Sequence, residues 1–191
     1  MYICLYGASS DEIAPEYIRL TEDLGRKMGK RGHALIFGGG TAGLMGAAAR
    51  GMTETGGEII GIAPSFFNVD GVLYPHCTQF IYTETMRERK FEMEERADAF
   101  IIAPGGIGTF EEFFEALTLK QLGRHNKPIA LFNIGGYYDD MIALIDKAIA
   151  EHFMKDACRE LLHAFDDADA MLDYIETCDT ATMLPEQTKY L

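Results

Sequence analysis

Two charged clusters in the sequence contain residue types that act on ligands. Arg87, Arg89 and Lys90 stand close together in a chain with 17 basic and 30 acidic residues. Cations at a helix N-terminus oppose the helix macrodipole, so an anionic ligand would offset their unfavourable position. Alternatively, these three basic side chains form ion pairs with neighbouring glutamates on the protein surface. Glu111 and Glu112 follow a glycine-rich loop, where a carboxylate can stabilise positive charge or activate a water molecule.

Three loops of small residues, at 7–10, 38–46 and 104–109, are candidates for a phosphate site. Glycine permits positive φ angles and a close approach of the backbone to a ligand. A helix is expected directly after the second and third loops, and its first N–H groups lack intrahelical partners. Tight turning between elements explains any single loop of this kind equally well, but three loops beside one sheet edge favour a phosphate site.

The second loop has the GxGxxG spacing of dinucleotide-binding proteins at Gly38, Gly40 and Gly43. That fingerprint also requires an acidic residue at the end of the next strand. Glu58 lies at about the right distance but at the start of the predicted strand, so NAD is not expected. The sequence also lacks the GxxxxGK(S/T) pattern, which leaves a P-loop unsupported.

Thr109 and Glu112 have two interpretations. With Thr109 as the N-cap of the helix after the third loop, Glu112 stands where a capping-box carboxylate would stand. In the alternative, Glu112 faces the ligand. Glu111 is expected to point to solvent or to make a supporting contact.

Alternating strand and helix patterns must position these residues. Apolar runs predict strands at 1–6, 34–37, 58–63, 78–82, 99–103 and 128–132. Apolar residues at helical spacing predict helices at 16–32, 44–55, 87–97, 109–122 and 138–151. One or two short helices are expected from there to about residue 177.

This alternation, with near-continuous apolar strands, is typical of a sheet covered by helices on both faces. The expected fold class is α/β, a Rossmann-like, doubly wound, mostly parallel sheet. One domain is expected at 1–178, followed by a C-terminal tail at 179–191. Ligands of such sheets bind beyond the carboxyl ends of the strands, where all three loops are expected.

Composition narrows the partners and the location. A net charge of −13 repels a nucleic-acid backbone, so no nucleic-acid partner is expected. The apolar runs are too short to span a bilayer and the first residues do not resemble a signal peptide, so no membrane partner is expected. The four cysteines form no CxxC pair, which argues against structural zinc and favours free thiols in the cytoplasm.

Together the motifs resemble the LOG family, the cytokinin riboside 5′-monophosphate phosphoribohydrolases, formerly labelled lysine decarboxylases. Residues 104–112 fit PGGxGTxxE, and residues 86–90 resemble the family's MxxRK segment. Residues 7–10 look like the family's first loop, and residues 38–46 like its GGGxxGLMG. Residues 127–128 and 133–139 look like parts of its KPxxLxNxxGYYD. The resemblance covers about residues 1–153.

The resemblance implies a Rossmann-like fold, a homodimer, AMP-type ligands, and neither a metal nor an organic cofactor. It places Arg89 and Glu112 on the family's catalytic arginine and glutamate. Two departures lie near the expected base site: Arg87 stands where many members have His, and residues 65–82 do not look like the family's usual stretch. The substrate-binding positions predicted from the loops and the resemblance together are Ser9, Gly39, Gly40, Lys90, Gly105, Gly106, Ile107, Gly108, Thr109, Glu111 and Thr118.

The activity implied by the resemblance is hydrolysis of the N-glycosidic bond of AMP or N6-modified AMP, which releases the base and ribose 5-phosphate. Glu112 is expected to hold the ribose hydroxyls and to stabilise an oxocarbenium-like transition state. Arg89 stays charged, so its expected role is to orient the nucleotide and to stabilise negative charge. The alternative is a non-catalytic nucleotide-binding protein, which the same loops would serve. The sequence contains no motif that supports a phosphotransferase or a pyridoxal-phosphate decarboxylase.

Four apolar residues lie on the two helices that carry the charged clusters: Phe91, Met93, Phe113 and Phe114. They are expected to contribute to a homodimer interface. Packing into the core of the single chain is the alternative.

Overall fold

The computed structural model describes residues 1–178 and 185–188, which form a seven-stranded parallel sheet with helices on both faces. The strands, β1 to β7 in chain order, are Tyr2–Tyr6, Ala34–Phe37, Ile59–Pro64, Gln79–Thr83, Ala99–Ile102, Ile129–Phe132 and His163–Phe165. They lie in the order β4-β3-β2-β1-β5-β6-β7, and every neighbouring pair is parallel. The chain winds outward from β1 to β4, then returns to the other side of β1. This order confirms the predicted doubly wound α/β fold.

The helices cover the sheet on both faces. They are, α1 to α7 in chain order, Pro15–Lys30, Gly43–Glu54, Met86–Arg96, Ile107–Gln121, Asp139–Ala150, Ala168–Thr177 and Pro185–Thr188. Side chains alternate along β1, so Ile3 and Leu5 pack with α1, α2 and α6, whereas Cys4 and Tyr6 pack with α3, α4 and α5. Across residues 1–178 and 185–188, no helix combines the length and hydropathy needed to cross a membrane.

The loops after β1, β2 and β5 meet at one edge of the sheet. The Ala8 N–H donates to the Pro104 carbonyl at 2.9 Å, which joins the first loop to the third. The Leu44 N–H donates to the Ala8 carbonyl at 2.8 Å, which joins the first loop to the second. The carboxyl ends of β1 and β5 lie where the strand order reverses, the usual position of a ligand site in such sheets.

The C-terminal part of the chain differs from the prediction in one strand, and most of the predicted tail lies outside the described residues. Strand β7 was expected to be helical, but its three residues pair with β6, from Ala130↔His163 to Phe132↔Phe165. So short an edge strand shows neither a periodic pattern nor a long apolar run. The predicted tail falls largely outside the described residues, although Thr188 within it is buried and donates to the Gln121 carbonyl at 2.7 Å.

Candidate active site

A cavity of about 460 Å³ opens at this edge of the sheet. All three predicted loops contribute to its walls, through residues that include Ser9, Gly40 and Gly106. The charged side chains that line it are Arg89 from α3 and Glu112 from α4. The structure therefore brings both predicted catalytic residues to one cavity with the glycine loops.

The third loop presents a helix N-terminus to this cavity. Gly106, Ile107, Gly108 and Thr109 line it, and a Cβ added at Gly106 or Gly108 would meet nothing within 4 Å. The first helical hydrogen bond of α4 runs from the Phe110 N–H to the Gly106 carbonyl, so the amides before it lie outside the helical ladder. Free amides and the positive end of the helix dipole suit an anion.

The N-cap prediction for Thr109 is wrong. Helix α4 begins at Ile107 with Gly106 at the N-cap, and that cap makes no side-chain hydrogen bond. The Thr109 side chain is buried beneath the loop, where a Cβ on Gly105 would come within 2.1 Å of its Oγ1. Glu112 is consequently not a capping-box residue, and its carboxylate is free to serve the cavity.

The second loop differs from the third, because the first amides of α2 already have partners. The Gly43 N–H donates to Asp11 Oδ1 at 2.7 Å, and the Leu44 N–H donates to the Ala8 carbonyl. Gly43 has φ of +63°, and a Cβ there would come within 2.2 Å of the Ala8 oxygen. The second loop thus shapes the cavity wall, whereas the helix N-terminus that opens onto the cavity is that of α4, at residues 106–109.

Arg89 and Glu112 form a buried ion pair in the cavity wall. Arg89 Nη1 donates to Glu112 Oε1 at 2.7 Å, and the two side chains are 8% and 12% exposed. Burial raises the pKa of Glu112, whereas the charge and hydrogen bond of Arg89 act in the opposite direction. A carboxylate held in this way can accept hydrogen bonds or stabilise positive charge in a site with little water.

Other predicted binding residues lie outside the cavity wall. Lys90 contacts Glu111 and lies 2.5 Å from Glu115, so Glu111 makes the supporting contact expected of it. Thr118 is exposed on α4. Gly105 is buried at the base of the third loop, and the Gly39 carbonyl accepts from the Tyr74 N–H at 2.8 Å.

One wall of the cavity is apolar and was not predicted. It is formed by Met45, Phe67, Val72, Leu73 and Met86. The segment after β3 is held to the second loop by a bridge between Gly40 and Leu73 and by a hydrogen bond from the Thr41 N–H to the Val72 carbonyl at 3.0 Å. The only signal in the sequence was that residues 65–82 depart from the family pattern.

Comparison with known proteins gives consistent matches. The family described as "Possible lysine decarboxylase" matches residues 45–175. Cytokinin riboside 5′-monophosphate phosphoribohydrolase LOG2 of Arabidopsis thaliana is 36% identical over 91% of this chain and 82% of its own length. The probable cytokinin riboside 5′-monophosphate phosphoribohydrolase LOGL9 of Oryza sativa subsp. japonica is also 36% identical, over 91% of this chain and 77% of its own length. The chain belongs to the LOG family.

Solved structures show that the fold of this LOG-family chain is shared more widely. The molybdenum cofactor binding protein of Rippkaea orientalis superposes with a TM-score of 0.71 at 22% identity, covering 92% of this chain and 95% of that one. The Moco carrier protein of Chlamydomonas reinhardtii gives a TM-score of 0.70 at 22% identity, covering 92% and 94%. At this identity the likeness concerns the fold alone.

The apolar residues of α3 and α4 divide into two groups in this LOG-family chain. Met93 and Phe113 are fully buried in the core of the single chain, so their predicted place at an interface is wrong. Phe91 and Phe114 are 59% and 41% exposed. Within the described residues, no three His, Cys, Asp or Glu side chains are grouped to hold a metal ion.

Proposed function

We propose that this protein hydrolyses the N-glycosidic bond of a nucleoside 5′-monophosphate, AMP or an N6-modified AMP, to the free base and ribose 5-phosphate. The observation that carries the proposal is the buried Arg89–Glu112 pair, which shares one cavity with the open N-terminus of α4. The names of the relatives in Arabidopsis and rice support the same type of reaction.

The 5′-phosphate binds at the start of α4 in this proposal. The amides of Ile107, Gly108 and Thr109 precede the helical ladder and donate to the phosphate oxygens. Gly106 and Gly108 have no side chains to keep the phosphate from the backbone. The chain carries a net charge of −13, so this local seat, and not the overall field, attracts the anion.

Glu112 acts on the ribose. Glu112 Oε1 is held by Arg89, and the carboxylate has a second oxygen with which to accept hydrogen bonds from the ribose hydroxyls. As the glycosidic bond breaks, positive charge develops at C1′, and a buried carboxylate stabilises that charge strongly. The same group orients or deprotonates the water molecule that attacks C1′, so that the base leaves and ribose 5-phosphate forms.

Arg89 has two roles in the proposed reaction. Its guanidinium stays protonated, so it is a poor proton donor. Its charge and hydrogen bond favour the ionised form of Glu112, and so oppose burial, which raises the pKa of that carboxyl. Its positive charge also orients the nucleotide and stabilises negative charge on the departing base or on the phosphate.

The apolar wall of the same cavity receives the base. Phe67 and the methionines Met45 and Met86 offer flat or adaptable surfaces against which a purine packs. Because the named wall residues are apolar, the base is selected chiefly by shape and by apolar contact. This wall supports an adenine base, with or without an apolar group at N6.

A homodimer in the cytoplasm is the proposed state of the protein. Phe91 on α3 and Phe114 on α4 are exposed, and a homodimer interface would bury both phenylalanines. Thr118 lies one turn from Phe114, so it would contact a ligand only across that interface. Cys4, Cys77 and Cys158 are free thiols, which supports a reducing compartment.

The test is incubation of the purified protein with a panel of nucleoside 5′-monophosphates, followed by chromatography of the products. The expected result is free adenine, or the N6-modified base, in equal amounts with ribose 5-phosphate. Measurable nucleotide binding without base release from any member of the panel would favour the non-catalytic nucleotide-binding protein, which the same loops would serve.

A further inference from the structure

The turn after β6 reaches back to the phosphate loop with two tyrosine hydroxyls. Asn133 shapes this turn: its Oδ1 accepts from the Tyr138 N–H at 2.7 Å and its Nδ2 donates to Asp139 Oδ1 at 2.8 Å. Tyr138 Oη donates to the Ala103 carbonyl at 2.7 Å, and Tyr137 Oη donates to the Gly105 carbonyl at 2.6 Å.

Three successive carbonyls at the start of the third loop therefore accept hydrogen bonds. Ala103 accepts from Tyr138, Pro104 accepts from the Ala8 N–H, and Gly105 accepts from Tyr137. A peptide that joins two glycines rotates easily, because neither residue has a Cβ to restrict it. The Gly105–Gly106 peptide lies next to the anion seat, and the hydroxyl of Tyr137 is the group that fixes its carbonyl.

We propose that Tyr137 is a positioning residue that aims the Gly106 N–H at the substrate phosphate. The C=O and N–H of a trans peptide point in opposite directions, and the described residues contain no cis peptide bond. Gly106 lines the cavity, whereas Tyr137 is outside its wall. The bond to Tyr137 draws the Gly105 carbonyl away from the cavity, and the Gly106 N–H consequently faces into it.

The opposite orientation of this peptide would be unfavourable for binding. A carbonyl oxygen turned toward the cavity would face the negatively charged phosphate and remove one donor from the seat. Loss of the Tyr137 hydroxyl should thus weaken binding of the phosphate group specifically. The inference rests on the proposed function, because it assumes that the phosphate binds at the start of α4.

The experiment compares AMP and adenosine as ligands of Tyr137→Phe, with Glu112→Gln in both the variant and its reference to prevent turnover. Calorimetry should show AMP bound about tenfold more weakly, with adenosine affinity unchanged. The affinity for inorganic phosphate, measured by its competition with AMP, should fall by the same factor. Tyr138→Phe is the matched control, since it loses a similar bond two residues earlier. It should lower Tm and leave the AMP-to-adenosine affinity ratio at the reference value.

The outcomes separate this inference from the proposed hydrolysis. If Tyr137→Phe weakens AMP and adenosine equally, or changes neither, Tyr137 does not position the phosphate donor. If the Tyr137-intact reference binds AMP no more tightly than adenosine, the inference fails whether or not base is released. If Tyr137→Phe weakens AMP selectively but the wild-type chain releases no base, hydrolysis fails and the role of Tyr137 stands.

Discussion

The guanidinium of Arg89 occupies the space in which a side chain at Gly38 would stand. A Cβ added at Gly38 would lie 2.2 Å from Nη2 of Arg89. The glycine at the end of β2 therefore sets the position of the arginine on α3. That arginine in turn holds Glu112 at 2.7 Å, so one missing side chain supports the geometry of the whole ion pair.

Gly38→Ala should displace Arg89 without unfolding the protein, because the far end of a flexible side chain can move. We expect kcat/KM for base release to fall about 10- to 100-fold, since shifts of about 1 Å at a reacting centre have effects of this size. The control is the same substitution in an Arg89→Ala background, where it should have little further effect. Additive losses in the double variant would show that Gly38 acts by another route.

Glu94→Gln should stabilise the protein at neutral pH. Burial, followed by the neighbouring charge of Glu115, raises the pKa of Glu94 to about 7. The folded protein therefore holds the Glu94 proton more tightly than the unfolded chain, whose pKa is about 4.5. This stabilises the fold at pH values below about 4.5, and the contribution is lost as the pH rises to about 7. After allowance for solvent screening of a half-buried group, the effect is about 1–2 kcal/mol.

Chemical denaturation at pH 5 and pH 7.5 measures this effect. The free energy of unfolding should decrease from pH 5 to pH 7.5 in both proteins. The decrease should be larger in the wild type than in Glu94→Gln. Glu95→Gln, an exposed neighbour on the same helix, is the matched control and should follow the wild type. Equal pH dependence in the wild type and Glu94→Gln would contradict the assignment.

Phe91→Lys should convert the proposed dimer into a monomer. A charge at a position that is 59% exposed in the single chain has little effect on the fold, but it is unfavourable in an apolar interface. Sedimentation should give twice the chain mass for the wild type and one chain mass for the variant. Phe153→Lys, at a 77% exposed phenylalanine that belongs to neither α3 nor α4, should leave the mass unchanged. A wild-type protein of one chain mass would contradict the dimer.

The sequence predicts the sheet well, because most strands are apolar runs and glycine-rich loops follow β1, β2 and β5. Six of the seven strands were found in this way, and β7 was missed because three residues carry no periodic signal. The three loops are expected at one edge because parallel strands align their carboxyl ends, whereas Arg89 and Glu112 are assigned to the site by the family resemblance.

Contacts between distant segments were beyond the reach of sequence patterns. The bridge between Gly40 and Leu73 builds the apolar wall, yet neither residue shows a pattern that pairs it with the other. Thr109 is a candidate N-cap of α4 because its residue type favours caps, but the helix begins two residues earlier at Ile107. Phe113 and Phe114 are adjacent in sequence, and only packing decides that the first is buried and the second exposed.

The most direct test of the proposed reaction is a paired measurement on Glu112→Gln. This substitution keeps the size and shape of the side chain and removes its charge. We expect AMP to bind to the variant within a few-fold of the wild-type affinity, while base release falls about a thousandfold. A Glu112→Gln protein that releases base at the wild-type rate would contradict the role of this carboxylate and with it the proposed mechanism.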